Sequence, residues 1–174
     1  MDGQIEVESE AGKGTRVLIT LPFKVITEEA EPVQSAFGED WLKNLHVMVV
    51  DDNDLNREIL CELLEEQGVA VNQAANGKAA VELFEKSGLF DIDVIIMDMQ
   101  MPVMDGCEAA QAIRLLDRAD ARWVLIIALT ANSFSEDVIQ TVQAGMDAHL
   151  AKPADIQKLK DTIYKLMIGR ATAG

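Results

Sequence analysis

The stretch from residue 94 to residue 106 constrains the fold of this chain more than any other. Four apolar residues at positions 94–97 lead directly into Asp98, and Pro102 and Gly106 then interrupt regular structure. A short apolar run bounded by such residues is typical of a strand buried on both faces of a parallel sheet. Asp98 would then lie at the carboxyl end of that strand, where open α/β sheets place their sites. An aspartate there can also simply cap the following turn. The residues at the other strand ends distinguish a functional site from such a cap.

Strands alternate with helices from residue 45 onward, which predicts a parallel sheet covered on both faces. The predicted strands are at about 46–50, 70–74, 94–98, 123–129 and 148–151, and a helix follows each of them. Five such units predict an α/β, doubly wound, five-stranded sheet of flavodoxin-like strand order 2-1-3-4-5. Right-handed crossovers then bring the carboxyl ends of all five strands to one rim.

The first of these helices is predicted over about 55–67, with Asp54 as its N-cap. Its apolar face is expected to consist of Leu55, Ile59 and Leu63. A capping box formed by Ser133 and Glu136 is predicted to begin the fourth helix.

The first 44 residues differ in pattern from the rest. Residues 1–23 show two alternating arms around a glycine-containing turn, which predicts a β-hairpin appendage. Residues 24–44 are acidic and aperiodic and are interpreted as a linker, so the main domain is expected over 45–169. Because an isolated hairpin is marginal in water, we expect it to belong to a larger structure or to pair with a second copy in a homodimer.

Composition excludes several classes of protein. The 174 residues are 49% hydrophobic and carry a net charge of −15, which predicts a packed globule that repels nucleic acid. The longest apolar stretch, residues 123–129, is far too short to cross a bilayer, and direct membrane contact is not expected. Cys61 and Cys107 lack metal-type spacing, which fits a reducing, cytoplasmic compartment, although a parent protein could be anchored in a membrane.

The strand ends carry a set of polar residues with one shared chemistry. They are Asp51 and Asp52 after the first strand, Asp98 after the third, Thr130 after the fourth and Lys152 after the fifth. Three converging carboxylates favour a hard cation, and Mg²⁺ suits a site that also receives phosphate oxygens. A lysine and a hydroxyl can stabilise added phosphoryl charge, and a carboxylate can itself be the nucleophile. The set therefore predicts phosphoryl transfer onto an aspartate.

Residues 45–169 resemble the response-regulator receiver family. The resemblance is carried by VVDDN at 49–53, MDMQMP at 97–102, MDG at 104–106, LTA at 129–131 and AKP at 151–153. It implies that Asp98 accepts the phosphoryl group and that Thr130 and Lys152 contact its oxygens. It also implies a Mg²⁺ site. The ion would be held by Asp52, Asp98, the backbone carbonyl of Gln100 and, through water, Asp51.

The resemblance also implies a switch. Gln100 and Asn132 occupy positions where the family tunes phosphoryl lifetime, and His149 stands where the family usually has a switch tyrosine or phenylalanine. We expect phosphorylation to draw in Thr130, to move the following loop and to change the face formed by the fourth helix, the fifth strand and the fifth helix. If His149 moves with Thr130, that coupling becomes pH-sensitive.

The hairpin carries a second resemblance. GQIEVES at 3–9, GKGT at 12–15 and LPF at 21–23 resemble the last strands of the ATP-binding domain of sensor histidine kinases, without the motifs that bind ATP. Together the two resemblances imply the C-terminal part of a hybrid histidine kinase. Its expected partners are a histidine kinase phosphohistidine domain and a histidine phosphotransfer domain, and whether this fragment counts as an enzyme stays open.

Two alternatives stay open, and a third is excluded by the residues present. The DNDLN run at 52–56 resembles haloacid-dehalogenase phosphatases, in which Asp52 would be the nucleophile, but the further acidic pair of that family is missing. A calcium loop in the same run would need glycine where Arg57 stands and a carboxylate where Leu63 stands. The second open alternative is a docking module that keeps the receiver fold without being phosphorylated.

Overall fold

The computed structural model describes residues 4–10, 12, 14–20, 40–131 and 135–172. Strands β1 (Gln4–Glu10) and β2 (Gly14–Thr20) form an antiparallel hairpin, as predicted. Gly12 and Gly14 have φ angles of +84° and +99°, which side chains with a Cβ rarely adopt, and this allows the tight connection. The hairpin is a compact unit of its own, separate from the rest of the described chain.

The main domain contains a five-stranded parallel sheet. Its strands are β3 (His46–Val50), β4 (Ala70–Ala74), β5 (Val94–Asp98), β6 (Leu125–Thr130) and β7 (Ala148–Ala151). They lie in the order β4-β3-β5-β6-β7, which is the predicted order 2-1-3-4-5. The helices are α1 (Asp54–Glu65), α2 (Gly77–Lys86), α3 (Gly106–Leu115), α4 (Ser135–Gln143) and α5 (Ile156–Thr172). The predicted fold class is confirmed.

Each face of the sheet has its own apolar core, because side chains alternate along the buried strands. In β5, Ile95 and Met97 join the cluster that includes Phe84 of α2 and Ile113 of α3. The intervening residues of β5 join the cluster formed with α1 and α5. This second cluster contains Cys61, and burial, assisted by Glu65, raises the pKa of that thiol to about 11. The helices therefore hold the sheet from both sides and leave its carboxyl rim open.

Two expectations for α1 are wrong. Its N-cap is Asn53, not Asp54, because the Asn53 side chain accepts hydrogen bonds from the N–H groups of Leu55 and Asn56. Its buried residues are Leu60, Cys61 and Leu64. The predicted apolar face is instead largely in solvent: Leu55 is 63% exposed, Ile59 is 47% exposed and Leu63 is half-buried.

The packed domain begins earlier than residue 45. A 3₁₀ turn at Trp41–Asn44 buries Leu42 in the core, and the Trp41 ring meets Tyr164 of α5 edge-on at 5.3 Å. The last four residues of the predicted linker therefore belong to the main domain. The fourth strand also begins two residues later than predicted, since Trp123 lies outside it and is exposed. The predicted Ser133 cap of α4 lies outside the described residues.

Candidate functional site

The predicted acidic cluster forms at the carboxyl rim. Asp51 and Asp52 follow β3, Asp98 ends β5, and β3 and β5 are neighbours in the sheet. One carboxylate oxygen from each residue lies within 4.8 Å of the others. Asp51 is 3% and Asp98 6% exposed, whereas Asp52 is open to solvent. The strand register thus brings together three side chains that are up to 47 residues apart in the sequence.

The backbone after β3 holds Asp51 in place. Its Oδ1 accepts a hydrogen bond from the N–H of Asn53 at 2.9 Å. Its carbonyl accepts from the Nη1 of Arg57 at 2.7 Å, and the Nη2 of the same guanidinium pairs with Asp54 at 2.5 Å. Arg57 was not among the predicted site residues. Its contact is with a backbone carbonyl, which the spacing of side chains in the sequence does not reveal.

The position of Asp98 depends on a close approach by Gly106. A Cβ on Gly106 would lie 2.3 Å from the carbonyl oxygen of Asp98, so only glycine fits at the start of α3. The Oδ1 of Asp98 accepts a hydrogen bond from the N–H of Gln100 at 3.2 Å. Burial raises the pKa of Asp98 above its ordinary value, although Lys152 and the Gln100 N–H act in the opposite direction.

Lys152 joins the cluster from the end of β7. Its Nζ lies 2.6 Å from Oδ2 of Asp51 and 2.8 Å from Oδ2 of Asp98. Burial favours the neutral amine, but the two ion pairs outweigh it and raise the pKa of Lys152. The lysine therefore stays protonated at neutral pH and offsets part of the negative charge of the cluster. Its own N–H donates to the carbonyl of Thr130 at 2.7 Å, which ties the ends of β6 and β7 together.

The other predicted residues lie around this cluster. Thr130 is buried at the end of β6 and shares a groove of about 490 Å³ with Gln100 and with Gln140 of α4. His149 lies in β7 opposite Ala128 of β6 and is half-buried. Because its neighbours on both sides pack against the α1 and α5 face, the His149 side chain points to the other face of the sheet. Asn132 lies outside the described residues.

The three carboxylates fit a divalent cation by their chemistry. They are hard oxygen ligands, they converge, and one of them is open to solvent so that bound water could complete a coordination shell. Lys152 supplies a single positive charge against three negative ones, which leaves an excess negative charge that a small divalent cation would balance.

A match to a known family identifies the kind of domain that carries this site. Residues 47–164 match the family described as the response regulator receiver domain. The chain belongs to the receiver family. This assignment excludes the haloacid-dehalogenase phosphatase alternative. It confirms the predicted resemblance to the receiver family over the main domain.

Sensor kinases are among the relatives of this receiver. It is 36% identical over 169 residues to the aerobic respiration control sensor protein ArcB of Escherichia coli, a match that covers 95% of this chain and 20% of ArcB. It is 38% identical over 120 residues to hybrid signal transduction histidine kinase L of Dictyostelium discoideum, covering 68% of this chain and 7% of that kinase. The chain thus spans about a fifth or less of the length of these relatives.

Solved receiver structures share the fold. One is the receiver domain of sensor histidine kinase PA1611 from Pseudomonas aeruginosa, which was crystallised with a magnesium ion in its active site cleft. It is 34% identical with a TM-score of 0.63, and the match covers 70% of this chain and 96% of that one. A second similar structure is the receiver domain of Ssk1 from Saccharomyces cerevisiae, solved in complex with the histidine phosphotransfer protein Ypd1. It is 31% identical with a TM-score of 0.60, and the match covers 68% of this chain and 86% of that one. In the described part of this chain, no helix is both long and apolar enough to cross a membrane.

Proposed function

We propose that this receiver accepts a phosphoryl group on Asp98 from a phosphohistidine and passes it on within a phosphorelay. The observation that carries the proposal is the contact of one buried carboxylate with a lysine at 2.8 Å, inside a cluster that fits Mg²⁺. Relatives that are hybrid kinases and a receiver solved with a phosphotransfer protein support the choice of donor.

Each residue of the cluster has a separate task in the transfer. A carboxylate oxygen of Asp98 forms the new bond to phosphorus while the bond from phosphorus to the histidine nitrogen breaks. The Lys152 ammonium, which already contacts Asp98, neutralises charge on the transferring oxygens, and the Thr130 hydroxyl donates to one of them. Most of the acceleration then comes from positioning and electrostatics.

Mg²⁺ would be held by Asp52, Asp98, the carbonyl of Gln100 and, through water, Asp51. When bound, it would supply further positive charge next to the phosphoryl oxygens. Asp51 is already fixed from both sides by Asn53 and Arg57, so the chain provides an ordered ligand on the strand side. Asp52, which is open to solvent, provides the adaptable one.

The proposed readout runs from Thr130 to α4. Thr130 and Gln140 line the same groove, so an inward shift of Thr130 on phosphorylation changes the surface that α4 packs against. Further along α4, Ile139 and Val142 are exposed apolar residues three positions apart. We propose that this face of α4, with β7 and α5, carries the signal and that His149 on β7 takes part in it.

A second apolar surface lies on α1 beside the acidic cluster. Ile59 and Leu63 line a groove of about 370 Å³ together with Pro153, and the same groove includes Asp51 and Lys152. A histidine that delivers phosphate must approach Asp98 across this rim, so its protein covers the groove. We propose that a helix of the phosphohistidine protein packs on the exposed apolar face of α1.

A substitution on that face tests the docking surface. Ile59→Asp in the full chain should slow phosphotransfer from phosphorylated Saccharomyces cerevisiae Ypd1 by about tenfold or more, since it buries a charge in the contact. The matched control is Leu115→Asp, which changes an exposed apolar residue at the far end of α3. Equal rates for both variants would contradict a docking role for α1.

The hairpin is proposed to be the end of a kinase ATP-binding domain. The match to ArcB covers 95% of this chain and therefore reaches into the hairpin region. On one face of the hairpin, Ile5 pairs with Ile19 and Val7 pairs with Val17 across the two strands, and Ile5, Val7 and Val17 are exposed. Such a face is expected to be covered by the remainder of the domain to which it belongs.

The experiment for the function as a whole is phosphotransfer from a phosphorylated histidine domain. Wild type should accept phosphate in the presence of Mg²⁺, and Asp98→Asn should not. If neither protein accepts phosphate from that domain or from acetyl phosphate, the chain is a docking module that keeps only the fold. If both accept it equally, Asp98 is not the acceptor.

A further inference from the structure

The 3₁₀ turn at Trp41–Asn44, which we call the entry turn, lies outside the residues that match the receiver family. That match covers residues 47–164, whereas the turn ends at residue 44. The structure describes residues 40–131 without a gap, and the turn leads directly into β3 at His46. The chain that precedes the receiver therefore enters the domain through this turn.

The entry turn packs on α5. The Trp41 ring meets the Tyr164 ring edge-on, with their centroids 5.3 Å apart and their planes at 66°. Tyr164 is 7% exposed and Leu42 is 6% exposed. Leu42 belongs to the same apolar cluster as Leu159 and Ile163 of α5. Aromatic pairs in this geometry stabilise a structure beyond the area that they bury, so the start of the domain is fixed to its last helix.

The entry turn also contacts the loop after α1. A Cβ on Gly68 would lie 2.9 Å from Cγ of Lys43, so the lysine side chain lies directly against the backbone of that loop. Helix α5 reaches the same loop, because Nζ of Lys160 donates to Oε1 of Gln67 at 3.0 Å. The turn, the loop and α5 thus form one packed unit, and the fit of the turn depends on where α5 lies.

The amino end of α5 lies next to the acidic cluster. Asp155 caps the helix, since its Oδ1 accepts from two N–H groups of the first turn at 2.9 and 3.2 Å. Lys152 precedes α5 by four residues. Its Nζ lies 2.6 Å from Asp51, which follows β3, and 2.8 Å from Asp98 at the end of β5. One ammonium group therefore ties the start of α5 to both strands.

A phosphoryl group on Asp98 changes the balance of contacts at Lys152. The group adds negative charge on the β5 side, so the ammonium exchanges its contact with Asp51 for the phosphoryl oxygens. The tie between α5 and β3 at the carboxyl rim is then lost. Because the entry turn is continuous with β3 and packs on α5, a shift of α5 relative to β3 loosens the contacts of the turn.

We propose that the entry turn transmits the phosphorylation state of Asp98 to the chain that precedes the receiver. The contact between Trp41 and Tyr164 is closed when Asp98 is free and opens more often when Asp98 is phosphorylated. This inference rests on the proposed function and adds a second output to the one proposed for α4, β7 and α5. Such coupling is reciprocal, so removal of the contact must in turn favour the phosphorylated state.

The first test is hydrogen exchange of the full chain, measured by mass spectrometry. The exchange is followed in Mg²⁺ with and without beryllofluoride, a noncovalent mimic of a phosphoryl group on a carboxylate. The N–H groups of Lys43 and Leu45 make backbone hydrogen bonds of 3.0 Å that hold the turn. We expect both to exchange about fivefold faster or more when beryllofluoride is bound.

Two controls accompany the exchange measurement. The N–H of Trp123 donates to the carbonyl of Asp120 at 2.8 Å in a turn before β6, and its exchange should not change. In Asp98→Asn, beryllofluoride should leave the exchange of the entry turn unchanged. Wild type that binds beryllofluoride without faster exchange at the entry turn would overturn the inference, as would equal acceleration at Trp123 or in Asp98→Asn.

The second test removes the ring and uses the reciprocity of the coupling. Trp41→Ala should bind beryllofluoride in Mg²⁺ about fivefold more tightly or more than wild type, measured by calorimetry. Trp41→Phe keeps an aromatic ring against Tyr164 and should bind as wild type does. The matched control, Trp123→Ala, removes an exposed tryptophan outside the turn and should also bind as wild type does. Equal affinity of Trp41→Ala and wild type would contradict the coupling, and the exchange test on wild type decides if Trp41→Ala does not fold.

Two results separate this inference from the function on which it rests. Wild type that gains phosphate on Asp98 from acetyl phosphate, with unchanged exchange at the entry turn, would overturn the coupling and leave Asp98 as the acceptor. Wild type that neither binds beryllofluoride nor gains phosphate from acetyl phosphate in the presence of Mg²⁺ would overturn the proposed function itself.

Discussion

The ammonium nitrogen of Lys152 lies 2.8 Å from Oδ2 of Asp98, and both groups are more than half-buried. The same nitrogen also pairs with Asp51 at 2.6 Å, so one positive charge serves carboxylates from two strands. With Asp52 within reach, the cluster keeps an excess of negative charge. Removing the lysine and removing one carboxylate should therefore have opposite effects on stability.

Lys152→Met should lower the free energy of unfolding in Mg²⁺-free buffer at pH 7. We expect a loss of about 2 kcal/mol, less than for a fully buried pair, because the side chain of Lys152 is 24% exposed. Urea denaturation measures it, and saturating Mg²⁺ should recover part of the loss since the cation takes over the neutralising charge. Full stability without Mg²⁺ would contradict a neutralising role for Lys152.

Asp98→Asn should raise the free energy of unfolding at pH 7 without Mg²⁺. Burial raises the pKa of Asp98 in the folded state, so the contribution of this one side chain to stability is fully present below its unfolded pKa of about 3.9 and is lost as the pH rises through the folded pKa. Asparagine carries no charge to desolvate, so the variant escapes this loss. The difference in the free energy of unfolding between the two proteins should therefore disappear when it is measured at low pH. A variant less stable than wild type at pH 7 would show that the carboxylate is net stabilising.

Mg²⁺ should raise the melting temperature of wild type in a concentration-dependent manner. Binding to the folded state alone stabilises by about 2.7 kcal/mol at a hundredfold excess over Kd. Asp52→Asn should weaken the effect strongly, because it removes the most exposed ligand. The control is Asp54→Asn, which changes a nearby carboxylate that pairs with Arg57 outside the cluster. Equal shifts in both variants would argue that the stabilisation by Mg²⁺ is nonspecific.

Asp120→Ala should destabilise the domain by about 3 kcal/mol, because it leaves the nearly buried guanidinium of Arg118 without its partner. Arg118 also donates to the carbonyls of Phe84, Ser87 and Gly88 at the end of α2. Arg118 holds the pKa of Asp120 below its usual range, so the stabilisation is present above pH 4 and is lost as the pH falls through that lowered value. The deficit measured by urea denaturation should be largest at pH 7 and should shrink progressively as the pH is lowered below 4. A deficit that does not change with pH would contradict the assignment to this ion pair.

The strands and the acidic cluster were predictable because each rests on a local pattern. The apolar runs of β3, β5 and β6 have no exposed face, and Asp51, Asp98 and Thr130 come at or next to their ends. Right-handed crossovers then leave only one rim for those residues. The cap and the buried face of α1 were not predictable in the same way. Asn53 and Asp54 are both good N-caps, and moving the start by one residue rotates the helix by about 100°.

Long-range polar contacts gave no signal in the sequence. Arg118 lies in the loop after α3 but closes the end of α2, about 30 residues earlier. Asp147 pairs with Arg114 of α3 and Arg170 of α5 and also accepts from the N–H of Ile126. No spacing rule links such residues, since they meet only after the sheet and helices have formed. The exposed apolar face of α1 was wrongly predicted to be buried for a related reason. Periodicity identifies an apolar stripe on a helix but does not show whether that stripe packs against the sheet or lies in solvent.

The most direct test of the central claim is to locate the phosphoryl group after incubation of the full chain with acetyl phosphate and Mg²⁺. Borohydride reduction of the acyl phosphate and mass spectrometry of the peptides identify the modified residue. The account predicts one modified position, Asp98, with none in Asp98→Asn and little in wild type when Mg²⁺ is chelated. Modification at Asp52, or none at all, would contradict it.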